Sequence, residues 1–241
     1  LNYTLGLAQA ALDAGVTIYT DSAVTKVTRK SQANVCQTAQ GQIKAQQVLF
    51  CGNAYMGKLV PEISNKIMPV GTYIGATEPL GEARAKALIN NNMAIADVNF
   101  VLDYFRLSAD YRMLFGGRVS YSTLAPPNLM HSMRQRMLGV FPQLADVKMA
   151  HSWGGNVAIT MNRGPHFGRV GQDLYFAQGF SGHGIAATGL AGKLLAEAVA
   201  GQAERFDLFK EISHLPFPGG SLLKTPALML AMTWYRLRDM L

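Results

Sequence analysis

Charge is scarce in this sequence: only 15% of its 241 residues are Asp, Glu, Lys or Arg, against roughly a quarter in an average chain. With hydrophobic residues at 49%, that scarcity excludes disorder of the low-hydrophobicity, high-charge kind. Cysteine is almost missing too. Cys36 and Cys51 are the two present, and neither stands in a metal-ligand spacing, so a reduced, cytoplasmic protein without a metal cluster is expected. Uninterrupted apolar runs are short. The stretch 179–201 is broken by His183, Lys193 and Glu197, and 226–235 is too short to span a bilayer, so no transmembrane helix is predicted. Residues 1–15 lack the basic n-region, apolar core and cleavage site of a signal peptide, and no Met begins the chain; the expectation is a start inside a longer reading frame or after a processed or missing segment. Lys and Arg number 22 against 15 Asp and Glu, a formal +7. They are scattered, as at Lys26, Arg29 and Lys30, without interleaved stacking aromatics, so nucleic acid is not an expected partner.

The length suffices for one large domain or two small ones with their own core, and no internal repeat is visible. Leu5, Ala8 and Leu12 recur at helical spacing, with Gly15 where a glycine cap belongs. Apolar runs at 16–19, 24–29, 34–38, 43–45 and 48–51 predict short strands, the first of them buried. After Gly57 the texture changes, punctuated by Pro61, Pro69 and Pro79. A strand over 70–76, a helix over 83–89, paired strands over 99–107 and 112–115, a helix marked by Leu129, Met133 and Met137 that Pro142 ends, and a strand-like 151–160 follow. Strand alternation puts Leu102, Tyr104 and Arg106 on one face and Val101, Asp103 and Phe105 on the other. Met133 and Met137 read as core. Asn2-Tyr3-Thr4 matches a glycosylation acceptor, incidental in the expected compartment.

The sharpest local signal is the apolar strand 174–178 running into Gly179-Phe180-Ser181-Gly182-His183-Gly184 and a helix over 185–199. Glycines permit positive φ and close backbone approach, while the amides and dipole at the helix start favour a negative ligand atom, a phosphate oxygen or a reduced flavin's pyrimidine oxygen. The spacing is GxxGxG and not the GxGxxG of a dinucleotide fingerprint, so this is not a Rossmann opening. A purely structural turn, with Gly packing helix on strand, is the alternative.

The segments LNYTLGLAQAALDAGVTIY, VLFCGNAYMGKLVP, GATEPL, DYFRLSADYRMLFGGR, HSWGGNVAIT and LYFAQGFSGHGIAATGLAGKLLAEAV, in order along nearly the whole chain, resemble the D-amino-acid-oxidase-type family of FAD-dependent oxidoreductases. The resemblance implies a mixed α/β and α+β fold: the remainder of an FAD-binding α/β domain (1–57, returning at 151–205), an inserted antiparallel-sheet substrate domain (58–150), and a C-terminal tail (206–241). The family's Rossmann fingerprint is not in this sequence, so the resemblance implies that FAD is held together with a missing N-terminal segment or with a partner chain carrying GxGxxG. The resemblance places Phe180, Ser181, Gly182, His183, Gly184, Ile185 and Ala186, with Gly179, beside the flavin ring, Val24 near the adenine through its backbone, and Gly52 and Asn53 at the nucleotide crevice. Val24 as an ordinary strand residue is the alternative. The chemistry implied is oxidation of a primary or secondary amine of gamma-glutamylputrescine type by hydride transfer to FAD. Some relatives hold a substrate carboxylate with an Arg after the Trp-Gly segment; here Trp153-Gly154-Gly155 is followed by Asn156 and Val157, which argues against a plain amino acid. Tyr104 and Arg106 are candidates for the substrate face, an aromatic wall and a carboxylate partner, or else one solvated hairpin face. His183 either aids flavin or substrate or is a turn histidine. The rival reading is a non-catalytic interaction module docking through 222–235, or one subunit of a split flavoenzyme.

Overall fold

The computed structural model describes residues 1–30, 33–99, 102–120 and 128–218 together with Pro226, Met229, Leu230 and Trp234, and of 118–120 the backbone alone. The docking segment expected at 222–235 therefore lies, but for those four residues, outside the described residues, as does Val101. Helix α1 (Asn2–Asp13) forms where its apolar spacing predicts, and Gly15 at φ +85° ends it. It buries none of its residues: Tyr3, Leu5 and Leu7 are each more than half exposed. The strand expected at 16–19 does not form. A strand needs a ladder partner for its backbone groups, and Val16, Ile18 and Tyr19 find none among the described residues and stand exposed. The strand expected at 24–29 begins at Lys26: Thr25 still donates to the Gln37 carbonyl at 2.8 Å, and Val24 lies outside the strand and exposed.

Strands β1 (Lys26–Arg29), β2 (Asn34–Gln37) and β3 (Gln42–Ala45) make an antiparallel meander. Strand β4 (Val48–Phe50) then enters a second sheet, and after a 3-10 turn at Asn53–Tyr55 and a short helix α2 (Pro61–Ser64) the chain leaves it. The excursion runs β5 (Met68–Thr77), α3 (Glu82–Leu88), β6 (Ile95–Ala96), β7 (Tyr104–Leu107), β8 (Met113–Ser120), α4 (Leu129–Val140) and β9 (Met149–Ile159), and its strands order as β6-β7-β8-β5-β9, all antiparallel. Pro142 stops α4 at Phe141, since a proline has no N–H to continue the ladder. The α4 methionines Met133 and Met137 are fully buried with Met113, Phe115 and Leu144, so helix and sheet share one core.

The chain returns through β10 (His166–Arg169) and β11 (Leu174–Gln178), which pairs antiparallel with β10 and parallel with β4, giving the order β10-β11-β4. A parallel pair needs a long crossover, and here the crossover is the whole five-stranded excursion. All five residues of β11 are buried, the signature of a strand covered on both faces. Helix α5 (Gly184–Val199) seals one face with Ala191, Leu194, Leu195 and Ala198, joined by Phe206 of α6 (Glu204–Lys210). An α/β unit interrupted by an antiparallel α+β layer is the fold expected from the sequence. Beyond α6 the segment 212–217 is tied back: Asn162 donates to the Ser213 carbonyl at 2.9 Å and the Phe217 amide donates to the Asn65 carbonyl at 3.0 Å.

Candidate functional site

The glycine turn between β11 and α5 is held in left-handed backbone, with φ of +74° at Gly179, +51° at Ser181 and +94° at Gly182. Its shape is locked from behind. The Gly179 amide donates to Asn53 Oδ1 at 2.9 Å, the Ser181 amide donates to the Ala158 carbonyl at 2.9 Å, and Ser181 Oγ is buried against Gly179 and Thr160. Phe180 turns inward onto Phe167. What the turn leaves forward is backbone. Helix α5 has no side-chain cap, and the amides of Gly184, Ile185 and Ala186 meet no acceptor among the described residues; the first amide to be taken up is that of Ala187, by the His183 carbonyl. Three free donors at the positive end of a 16-residue helix, fronted by Gly182 with nothing within 4 Å of where a side chain would begin, form an anion cradle. His183 and Ile185 are exposed beside it.

Gly52 and Asn53 join this cradle through the Asn53 side chain, itself at φ +47°. Val24 is not brought in by any of the bonds that shape the turn. Tyr104 and Arg106 belong to the other sheet, whose two faces differ. One packs on α4: Phe105 stacks on Phe115 and meets Phe141 edge-on, and Asp103 pairs with Arg136 at 2.7 Å. The opposite face is open. Cross-strand register places Tyr104, Gly116, Ile74 and Trp153 on one rung of it and Arg106, Leu114, Ala76 and His151 on the next. The Tyr104 ring lies over Gly116, where a methyl would collide with it. Its hydroxyl meets Thr72, and burial outweighs that bond and pushes the phenol pKa up. Thr72 in turn donates to the Gly155 carbonyl at 3.3 Å.

Sequence reasoning did not find Tyr55. It ends the same 3-10 turn as Asn53, is 69% exposed, and its hydroxyl accepts the Asn156 amide of β9 at 2.8 Å, lying 3.5 Å from where a Gly155 side chain would begin. Tyr104 and Tyr55 thus flank the Thr72–Gly155 rung from its two sides. The signal in the sequence was an aromatic two residues after Asn53 in a tight turn. Farther along, Arg106 lines a cleft of about 1130 Å³ with Lys86, Asp110, Tyr111 and Tyr3. In that cleft Lys86 is paired with Glu82 and Asp110 with Arg112, both at 2.6 Å, while Arg106 donates only to the Leu107 carbonyl and has no ion pair among the described residues. No group of His, Cys, Asp and Glu that could hold a metal occurs among the described residues, and no helix among them is long and apolar enough to cross a membrane.

Comparison with known proteins gives these features a setting. The family model described as FAD dependent oxidoreductase matches residues 1–198. The chain is 43% identical over 242 residues to gamma-glutamylputrescine oxidoreductase of Escherichia coli (strain K12), covering 100% of this chain and 57% of that protein. It is 42% identical to a probable oxidoreductase OrdL of Haemophilus influenzae, over 99% of this chain and 56% of the relative. The chain thus spans little more than half the length of these relatives. Solved structures with the same fold include glycine oxidase from Bacillus cereus, with a TM-score of 0.71 at 18% identity over 86% of this chain and 57% of that one. L-proline dehydrogenase from P. horikoshii gives 0.69 at 20% identity, over 82% and 54%.

Proposed function

The chain belongs to the FAD dependent oxidoreductase family, and we propose that it forms the flavin-covering and substrate-facing part of an amine oxidoreductase acting on a primary or secondary amine of gamma-glutamylputrescine type. In this reading 1–57 and 151–205 serve the cofactor, 58–150 the substrate, and β9 crosses between them. The observation that carries it is the cradle of free amides at Gly184, Ile185 and Ala186, fronted by the open approach at Gly182. The group fits there: the flavin ring is planar, its pyrimidine edge is the part that gains negative charge, and backbone donors without competing side chains are what such an edge requires. Bound there, FAD would supply the hydride acceptor for the carbon that bears the amine.

The chain's own contribution is positioning and electrostatics. The turn that leads into the three amides is held by Asn53 and Ser181 before any reaction, so little reorganisation is needed as charge develops on the group they face. Gly179 to Ala186, with Gly52 and Asn53, line the cofactor side; Val24 belongs to the adenine end in this reading. Tyr104 walls the substrate and Arg106 meets a carboxylate. His183, exposed at the cradle's lip, can serve either side. The outer edge of β4, unpaired among the described residues, and the exposed apolar side chains of Val16, Ile18, Tyr19 and Ile185 fit a further part carrying the GxGxxG segment, in the same polypeptide or in a partner chain. Expressed together with that part, the protein should purify yellow and bleach anaerobically on addition of gamma-glutamylputrescine. A correctly folded assembly that never retains flavin would overturn the proposal.

A further inference from the structure

Resting on that reading of the site, we propose that the open face of the five-stranded sheet is a length gauge, selecting amines whose carboxylate lies about ten bonds from the reacting nitrogen. The face has polarity along the strands. At one end the Thr72–Gly155 rung is flanked by Tyr104 and Tyr55, and Tyr55 stands on the same three-residue turn as Asn53, which holds the cradle's Gly179 amide. That end is the one beside the cofactor side. The middle rung is aromatic and aliphatic, with Tyr104, Ile74 and Trp153. The far rung carries Arg106, which lines the cleft with no ion pair among the described residues, while the cleft's other charges, Lys86 and Asp110, are already paired.

Residues 72 and 76 of β5 mark the two ends. Four residues of antiparallel strand separate them by about 14 Å at about 3.4 Å per residue, and Arg106 starts two strands across from β5, about 10 Å to the side at about 4.8 Å per strand, so its backbone lies about 17 Å from residue 72. From its primary amine to its carboxylate carbon a gamma-glutamylated putrescine has about ten bonds, which span about 12 Å when extended at the advance per bond of a stretched backbone. The remaining gap is within the reach of an arginine side chain. A short amino acid, with its carboxylate two bonds from the amine nitrogen, cannot engage Arg106 while its amine lies between Tyr55 and Tyr104. The gauge therefore reads a carboxylate at a distance, and an apolar linker suits the rung between.

The test uses the complete flavin-loaded protein and monoacylated putrescines HOOC–(CH2)n–CO–NH–(CH2)4–NH2 with n from 1 to 4, each paired with its terminal carboxamide. KM should be lowest at n of 3, the ten-bond compound, and its carboxamide should raise KM about ten- to a hundredfold at unchanged kcat, the range for one hydrogen bond to a charged group. Arg106→Gln should raise KM for the carboxylate to that of the carboxamide and leave the carboxamide itself within twofold, and Arg106→Lys should restore part of the preference. Calorimetric binding of N-butylglutaramate, which carries the carboxylate but no oxidisable amine, should weaken in Arg106→Gln by the same factor. A flat length series, or an equal loss on carboxylate and carboxamide, overturns the gauge while amine oxidation stands. Should no amine bleach the flavin, the oxidase reading fails, and N-butylglutaramate binding that Arg106→Gln leaves unchanged overturns the gauge on its own.

Discussion

In the proposed reading, two glycines three residues apart separate what the turn needs for folding from what it needs for its ligand. A methyl at Gly179 would sit at φ +74° and 2.5 Å from Thr160 Cγ2, with Ile67 and His166 also in contact. Thr160 has little freedom to give way: it is 1% exposed and its hydroxyl donates to the Gly164 carbonyl at 2.8 Å. Left-handed backbone costs a non-glycine residue about 1–2 kcal/mol and overpacking a tight site about 1–3 kcal/mol, so Gly179→Ala should destabilise the protein by about 3 kcal/mol. Gly182, at φ +94° with nothing within 4 Å, incurs only the backbone cost, so Gly182→Ala should destabilise by about 1 kcal/mol. Its methyl would instead occupy the forward approach. Urea denaturation of both variants, together with the flavin-to-protein absorbance ratio after purification, gives the two readouts. Gly182→Ala should fold and lose flavin; Gly179→Ala should lose stability first. Equal destabilisation of the two would refute the packing argument, and full flavin retention in Gly182→Ala would refute the close approach.

A pH effect should come from the buried imidazoles behind the same strand. His166 is packed on His214, with centroids 4.4 Å apart, and accepts from Gln178 Nε2 at 3.1 Å; burial first, then His214 and Lys66, lower its pKa to about 3. The folded protein then holds fewer protons than the unfolded chain between about pH 3 and the ordinary histidine value of about 6.5. Stability is fully present above that upper value and falls as pH drops through the window, and denaturation midpoints from pH 7.5 to 4.5 should flatten in His166→Leu. A profile as steep in the variant as in the parent would assign the slope elsewhere. Gly116→Ala should displace the Tyr104 ring and destabilise by about 1–3 kcal/mol, a cost that should shrink in a Tyr104→Ala background when both are measured in a double-mutant cycle.

Where local pattern and tertiary partner agreed, the sequence was readable. The strand at Leu174–Gln178, the turn after it and the helix to Val199 match their expected bounds to a residue, because apolar composition, glycine and helical period all name the same breaks. Alternation along 102–107 put Tyr104 and Arg106 on one face, and the sheet register agrees. The failures lie where a partner decides. Residues 16–19 have every local property of a buried strand, but no neighbour among the described residues supplies a ladder, so they stay exposed and outside any sheet. Strand β10, a mixed run of His, Phe, Gly and Arg, gains its structure only from register with β11. Tyr55 was invisible for a related reason: its role is set by a bond to Asn156, 101 residues away.

In the proposed reading, that bond also ties the cofactor side of the site to the substrate side. The 3-10 turn at Asn53–Tyr55 gives one residue to each: Asn53 holds the amide of Gly179, and Tyr55 holds the amide of Asn156. The excursion that builds the open sheet departs just after this turn and returns through β9, whose Ala158 carbonyl takes the amide of Ser181. The sheet is therefore tied to the cradle at both its exit and its return, each time through a backbone amide. In hydride transfer the reacting atoms must be held at close range before reaction, and effective molarity is lost steeply with misplacement. In the proposed reading, two pins on either side of one rung serve that constraint, in keeping with a site built from glycines, amides and tyrosines.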